Sequence, residues 1–238
     1  MKSEKYICAV MITAFLAVYC FAYFVISANV SKTVSLLSEN GYTIVIDAGH
    51  GGEDGGAVGV SGMKESDLNL EIALRLEQLL SLCGVPCSMI RSEDVSVYTE
   101  GNTITEKKVS DLKRRVEMVQ TTENPVLVSI HQNHFSDEKY DGAQVFYSSA
   151  SGSNSLAQMM QQMLREQLDP RNHRECKPAD SVYLMERTNC PGVLVECGFL
   201  SNPAEEHLLQ EPNYQTKLVC VLGCSLTQFL EEGIRLEV

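Results

Sequence analysis

Positive charge is what this chain has least of. Its 238 residues carry 19 Lys and Arg against 31 Asp and Glu, a formal net charge of −12. Nucleic-acid binding needs clustered cations to neutralise phosphates, so that class of partner is excluded. The acidity reads instead as a solvated, self-repelling surface. No Cys-x-x-Cys pair occurs among the nine cysteines, which argues against a thiolate zinc site. Internal repeats and low-complexity tracts are also missing, and the length leaves room for one well-cored domain but not two large ones.

Only one long apolar run is present. Lys2 and Lys5 precede an uncharged stretch from Tyr6 to Ala28, and about 20 such residues suffice to cross a bilayer. The basic flank stays inside and sends the remainder out of the cytoplasm. Ser27 and Ala28 are small enough for signal-peptidase cleavage, but Ile26 suits the outer small-residue position poorly and the run is long for a cleaved peptide. The expectation is an uncleaved anchor, with a signal segment as the alternative. Cys20 follows the bulky Tyr19 and is a poor lipid-attachment site. Residues 1–28 are thus the anchor or signal, 29–41 a polar linker, and 42–238 a single exported domain.

Two of the cysteines fall in the apolar run. The other seven (Cys83, Cys87, Cys176, Cys190, Cys197, Cys220 and Cys224) are an odd number, so complete internal pairing is impossible. Cys220 and Cys224 stand four apart on an expected helix, where a disulfide is disfavoured. Most of the seven read as small buried hydrophobes, which suits a poorly oxidising habitat.

The domain alternates strand and helix patterns. Thr43 to Asp47 is β-branched and reads as the first strand, followed by a glycine-rich loop from Gly49 to Gly62. A helix starting near Glu65 or Ser66 places Leu68, Ile72, Leu76 and Leu79 on one face. Val85 to Arg91 is the next expected strand, Asp94 to Val109 a polar loop, and Asp111 to Thr121 a basic amphipathic helix. Val126 to His131 and Gly142 to Tyr147 read as strands, Ser153 to Leu168 as a helix, Val182 to Met185 and Val193 to Glu196 as short strands, and Asn213 to Glu232 as a last helix. The pattern predicts an α/β fold: an open, mainly parallel mixed sheet with helices on both faces, forming a single catalytic domain.

Three strings close apolar strands with chemistry-bearing side chains: Asp47-Ala48-Gly49-His50-Gly51-Gly52, Ser129-Ile130-His131-Gln132-Asn133 and Val195-Glu196-Cys197-Gly198-Phe199. Ligands of open α/β sheets sit beyond the carboxyl ends of the strands, so these residues can converge. Catalytic zinc commonly takes two His, one Glu and a water. His50 and His131 supply the imidazoles, and Glu65, opening the helix after the glycine loop, is the best-placed carboxylate. Each has a plainer reading alone: a hydrogen-bonded strand-end histidine, or a glutamate complementing a helix dipole. Glu196 ends an apolar strand, where a carboxylate is costly unless paired or functional. It is either the partner of Arg115 or Arg174 in a salt bridge, or a general base with its pKa raised by apolar surroundings.

The strings Ile46-Asp47-Ala48-Gly49-His50-Gly51-Gly52, Lys64-Glu65, Leu112-x-x-Arg115-Val116, Ser129-Ile130-His131-x-Asn133 and Val195-Glu196-x-Gly198-Phe199-x-Ser201-Asn202 together resemble the zinc-dependent N-acetylmuramoyl-L-alanine amidases of bacterial cell walls. They occur in family order from about Gly41 to the end. Gly142-Ala143-Gln144-x-Phe146-Tyr147 and Tyr183-Leu184-Met185 are similar to the sporulation and germination branch, the CwlD-type amidases, as is an N-terminus without wall-binding modules.

This resemblance implies a Zn2+ cofactor on His50, Glu65 and His131, with Glu196 as the catalytic acid/base. It implies hydrolysis of the amide between the lactyl group of N-acetylmuramic acid and L-alanine of the peptidoglycan stem peptide, within muramic-δ-lactam formation in the spore cortex and the forespore envelope. Asp47 and Asn133 become groups that orient ligands or substrate. The membrane, through the N-terminal segment, and an exported adaptor protein are the expected means of placement. A zinc peptidase cutting within stem peptides, or a non-catalytic wall-binding relative, are the competing functions. Two positions depart from many members. Ala48 stands where Pro is common, and His134 where a small residue is common, either as a fourth donor closing the zinc position or as an exposed loop residue. Gly142 follows Asn133 too closely for the autoinhibitory helix that some relatives insert there.

Overall fold

A computed structural model describes residues 11–13, 15–25 and 41–237, with side chains to residue 232. Residues 11–13 and 15–25 are helical, and among the described residues no helix is long and apolar enough to cross a membrane. The expected linker, apart from Gly41, and both ends of the expected anchor lie outside the described residues.

The domain is built on a six-stranded sheet in the order β2-β1-β3-β6-β4-β5. Its strands are β1 (Thr43–Ala48), β2 (Cys87–Met89), β3 (Pro125–Asn133), β4 (Gln144–Tyr147), β5 (Lys177–Pro178) and β6 (Gly192–Phe199). β2, β1, β3 and β6 run parallel, β4 is antiparallel to β6, and β5 is parallel to β4. The helices are α1 (Glu65–Leu82), α2 (Ile104–Gln120), α3 (Ser153–Met163), α4 (Tyr183–Arg187), α5 (Pro203–Gln210) and α6 (Pro212–Glu237), with a π-helical turn Leu164–Leu168 extending α3.

Alternation along the strands sorts side chains onto two faces. Ile44 and Ile46 of β1, Val126, Val128 and Ile130 of β3, and Val193 and Val195 of β6 pack beneath α1, α3 and α6 with Leu68, Ile72, Leu156, Leu218 and Leu222. Val45, Leu127 and Leu194 point the other way and meet Val116 and Val119 of α2 and Leu184 and Met185 of α4. By the same alternation, Asp47, Ser129, His131 and Glu196 fall on the α2/α4 face.

Several elements differ from the sequence reading. Val182 to Met185 is not a strand: the Glu186 N–H donates to Val182 O at 3.0 Å, which winds the segment into a helical turn. Glu186 reaches back to the Ser181 N–H at 3.0 Å and starts α4 instead. The outer strand here is β5. The loop expected to Val109 ends earlier, because Thr103 and Glu106 form a reciprocal capping box that opens α2 at Ile104. The second strand is shorter than Val85 to Arg91, since the Val85 N–H closes α1 on Leu80 O and Arg91 turns its side chain inward. Helix α5 was not expected, although Asn202 as a cap and Pro203 in the first turn are start signals. All described cysteines are free thiols, but only Cys190 and Cys197 are buried, so most are not core residues.

Candidate metal centre

β1 ends in a turn that the sequence forces into an unusual shape. His50 has φ +60°, a left-handed conformation rare for a residue with a Cβ, and Gly51 and Gly52 follow with positive φ. The turn swings His50 back over the end of β3. Gly49 has no side chain to obstruct this: a Cβ there would land on the His131 ring. Gly56, at φ +66°, gives similar clearance, since a Cβ would press on Glu65 Oε2 and the His50 ring.

Glu65, the first residue of α1, sits between the two imidazoles. Its Oε2 is 3.2 Å from His50 Nε2 and its Oε1 is 2.9 Å from His131 Nδ1. The donor atoms of the three residues all lie within 4.8 Å of one another, the one group among the described residues that could hold a metal. The carboxylate is held by N–H groups of Ala57 (2.9 Å) and Gln132 (3.2 Å) and by Asn69 Nδ2 (3.4 Å). Burial opposes its charge, but hydrogen bonds and attraction from His131 and His50 outweigh this and hold the Glu65 carboxyl far below the usual range.

The far nitrogen of His50 has its own partner. His50 Nδ1 lies 3.1 Å from Asp54 Oδ2, and Asp54 Oδ1 lies 3.1 Å from Lys108 Nζ. A carboxylate on Nδ1 fixes the tautomer that leaves Nε2 free to ligate. Burial would lower the pKa of His50, but Glu65 and Asp54 more than offset it and raise it. Sequence reasoning missed Asp54, although a carboxylate four residues after His50 was a usable signal.

Glu196 is the register partner of His131 across the parallel β3–β6 pair, on the same face. It makes no salt bridge with either arginine considered from sequence. Arg115 binds Asp47 and Asp111, while Arg174 stacks on Phe199 and donates to Asp141 O and Gln144 Oε1. Glu196 Oε2 is buried without a hydrogen-bond partner. Burial, opposed by His131 and His50 and reinforced by Glu65, pushes its carboxyl up to about 7. Asp47 lies beneath the site, paired with Arg115 and accepting from Ser129 Oγ at 2.6 Å. Asn133 ties β3 to the chain after β6 through its carbonyl, which accepts from Leu200 N at 2.8 Å. His134 is exposed and does not join the donor group.

A cavity of about 510 Å³ opens over these residues. His50, His131 and Glu196 form its floor, α2 gives one wall with Ile104, Lys107, Lys108 and Leu112, and Val182, Tyr183 and Leu184 give the other.

Two imidazoles and a carboxylate gathered beside an unpaired acid, at the ends of parallel strands and under an open cleft, define a hydrolase site. The chain belongs to the N-acetylmuramoyl-L-alanine amidase family, whose model matches residues 44–221. It is 36% identical over 195 residues to the germination-specific N-acetylmuramoyl-L-alanine amidase of Bacillus subtilis, covering 81% of each chain. Among solved structures it resembles the CwlD amidase of Clostridioides difficile in complex with the GerS lipoprotein, at 39% identity and a TM-score of 0.76, over 80% of this chain and 98% of that one. A second amidase structure, from Clostridium difficile 630, matches at 30% identity and a TM-score of 0.70, over 81% and 98%.

Proposed function

We propose that this family member is a zinc amidase that cuts the lactyl amide between N-acetylmuramic acid and L-alanine. The observation that carries the reading is the unpaired, buried Glu196 Oε2 beside a three-donor cluster. The donor set suits zinc: two imidazoles and one carboxylate, with Asp54 behind His50 and glycines 49 and 56 clearing the space they occupy. His50 Nε2, Glu65 and His131 Nδ1 would hold the ion. Bound zinc supplies Lewis acidity, which polarises the lactyl carbonyl and lowers the pKa of water.

The chain's own residues do the remainder. Glu196, with a carboxyl poised at about 7, takes the proton of the attacking water and returns it to the departing L-alanine nitrogen. The cleft between α2 and α4 receives one arm of the substrate and keeps it against the floor. Incubating the full chain with zinc and a defined muropeptide should release the free muramoyl sugar and an L-alanyl peptide, read by mass. Fragments cut within the stem peptide would instead identify a peptidase.

The name of the Bacillus subtilis relative, a germination-specific amidase, supports a role in the spore; muramic-δ-lactam formation in the cortex is the finer reading, and it rests on the resemblance of the sequence strings. The lipoprotein bound to the Clostridioides difficile structure supports an exported adaptor. The uncharged run from Tyr6 to Ala28, with Phe15, Phe21 and Phe24 exposed on its helix, supports an anchor that keeps the domain outside the cytoplasmic membrane. Fractionation of cells expressing the full chain tests this: recovery in the soluble extracellular fraction rules out the anchor.

A further inference from the structure

The string Leu112-x-x-Arg115 has no place in the chemistry above, yet Arg115 is among the most enclosed charges in the chain. It and Arg91 are both 3% exposed. Together they take up three consecutive backbone carbonyls of the His50 turn. Arg115 Nη1 donates to Ala48 O at 3.0 Å and its Nη2 to His50 O at 2.7 Å. Arg91 Nε donates to the same Ala48 O at 2.8 Å, and its Nη2 to Gly49 O at 3.0 Å. The same Arg91 nitrogen also reaches Ser66 O at 2.9 Å, the residue next to Glu65. Asp47 and Asp111, the latter at 2.6 Å from Nε, fix Arg115 from the other side.

The turn needs this support. Three carbonyls facing inward in succession would each be costly without a donor; Gly49 O has a second one in Asn69 Nδ2 at 3.1 Å. A non-glycine residue at φ +60° stores strain that its surroundings must hold in place. One planar guanidinium can serve two or three acceptors at fixed angles, whereas an ammonium is a point charge. Gly51 completes the fit, since a Cβ there would meet Arg91 Nε at 2.9 Å.

We propose that Arg115 and Arg91 are positioning residues for the metal donors. Arg115 sets the backbone of His50, and Arg91 joins the His50 turn to the helix that carries Glu65. This rests on the reading of His50, Glu65 and His131 as a metal site. Neither arginine touches the donor atoms, so the effect appears in metal affinity and geometry.

The test measures zinc affinity by competition with a chromophoric chelator, and the visible spectrum of the cobalt-substituted protein. It uses the full chain as wild type and as Arg115→Lys, Arg91→Lys and Asp111→Asn. Both lysine variants are expected to bind zinc at least tenfold more weakly and to shift the cobalt spectrum, despite keeping the charge. Asp111→Asn, which leaves Arg115 in place but removes the negative charge beside its Nε, is expected to lose affinity by a smaller factor. On a His50→Ala background, Arg115→Lys should add no further loss. Gln161→Ala, which cuts buried hydrogen bonds to Val145 N and Ala143 O at β4, two strands away from the one that carries His131, should melt lower yet keep wild-type affinity.

Affinities within twofold of wild type for Arg115→Lys and Asp111→Asn, with an unchanged cobalt spectrum, would overturn the proposal. So would an equal loss in Gln161→Ala. Should the arginine variants fail to fold, Asp111→Asn decides alone. A wild-type chain that binds neither zinc nor cobalt would sink the metal reading itself, a different result from variants that bind as well as wild type.

Discussion

Gly49 lies against the imidazole of His131 with no room for a Cβ between them. Its φ is ordinary, so the requirement is clearance for the ring. Gly49→Ala should therefore fold, while driving His131 off its position beside Glu65. The expected result is at least a tenfold loss of zinc affinity with little change in far-ultraviolet circular dichroism. Wild-type metal content would show that the ring tolerates the methyl group.

Glu196→Gln keeps the shape of the side chain and removes its proton-accepting charge. Positioned acid/base groups contribute about 10²–10⁴-fold to rate. Turnover of a defined muropeptide should fall within or below that range while bound zinc stays stoichiometric. An enzyme retaining more than about a tenth of wild-type turnover would require another base.

Asp47 predicts an acid limit to stability. Burial alone would raise its pKa, but the Arg115 charge, with His131 and the Ser129 hydroxyl, outweighs burial and holds it low. A carboxyl depressed in the folded state stabilises the protein above its unfolded pKa, about 3.9 for Asp, and loses that contribution as pH falls through the folded value. Urea midpoints should therefore drop below about pH 4. In Asp47→Asn the protein should be weaker at pH 7, by less than the roughly 3 kcal/mol that a wholly unpaired buried cation costs, because Asp111 still faces Arg115. Its midpoint should also fall less steeply in acid. Parallel acid profiles for the two proteins would contradict this.

A ligand that binds only the folded form stabilises by mass action, about 2.7 kcal/mol at one hundred times Kd. Excess zinc should raise the melting temperature of the chelator-treated chain by several degrees. The same addition should leave His131→Ala almost unmoved. An equal rise in both would place the ion elsewhere.

Sequence carried the site further than the elements around it. His131 and Glu196 share the parity of Leu127 and Leu194 along their strands, and parity of that kind is written directly into the order of residues. Glu65 was legible because a glycine loop followed by a helix must return near its start. The arginine contacts left no such mark. Their acceptors are main-chain carbonyls, which every residue has, and Arg91 and Arg115 reach the turn from distant elements. The anchoring of the glycine loop by Glu206, through Ser61 N–H and Oγ, spans 145 residues and is equally silent in the sequence. Helix α4 was missed because four apolar-looking residues satisfy a strand pattern, and what decides against it is a main-chain bond, Glu186 N–H to Val182 O, that composition does not reveal.

That misread segment bears on how the protein survives among its own copies. Had Val182 to Met185 been the outermost strand, its open amides would have offered neighbouring molecules an apolar template. Instead β5 is two exposed residues long, Lys177 and Pro178. The proline has no N–H to donate and the lysine repels its like. At this edge the sheet thus ends on residues that refuse a further strand, which should keep it from templating neighbouring copies.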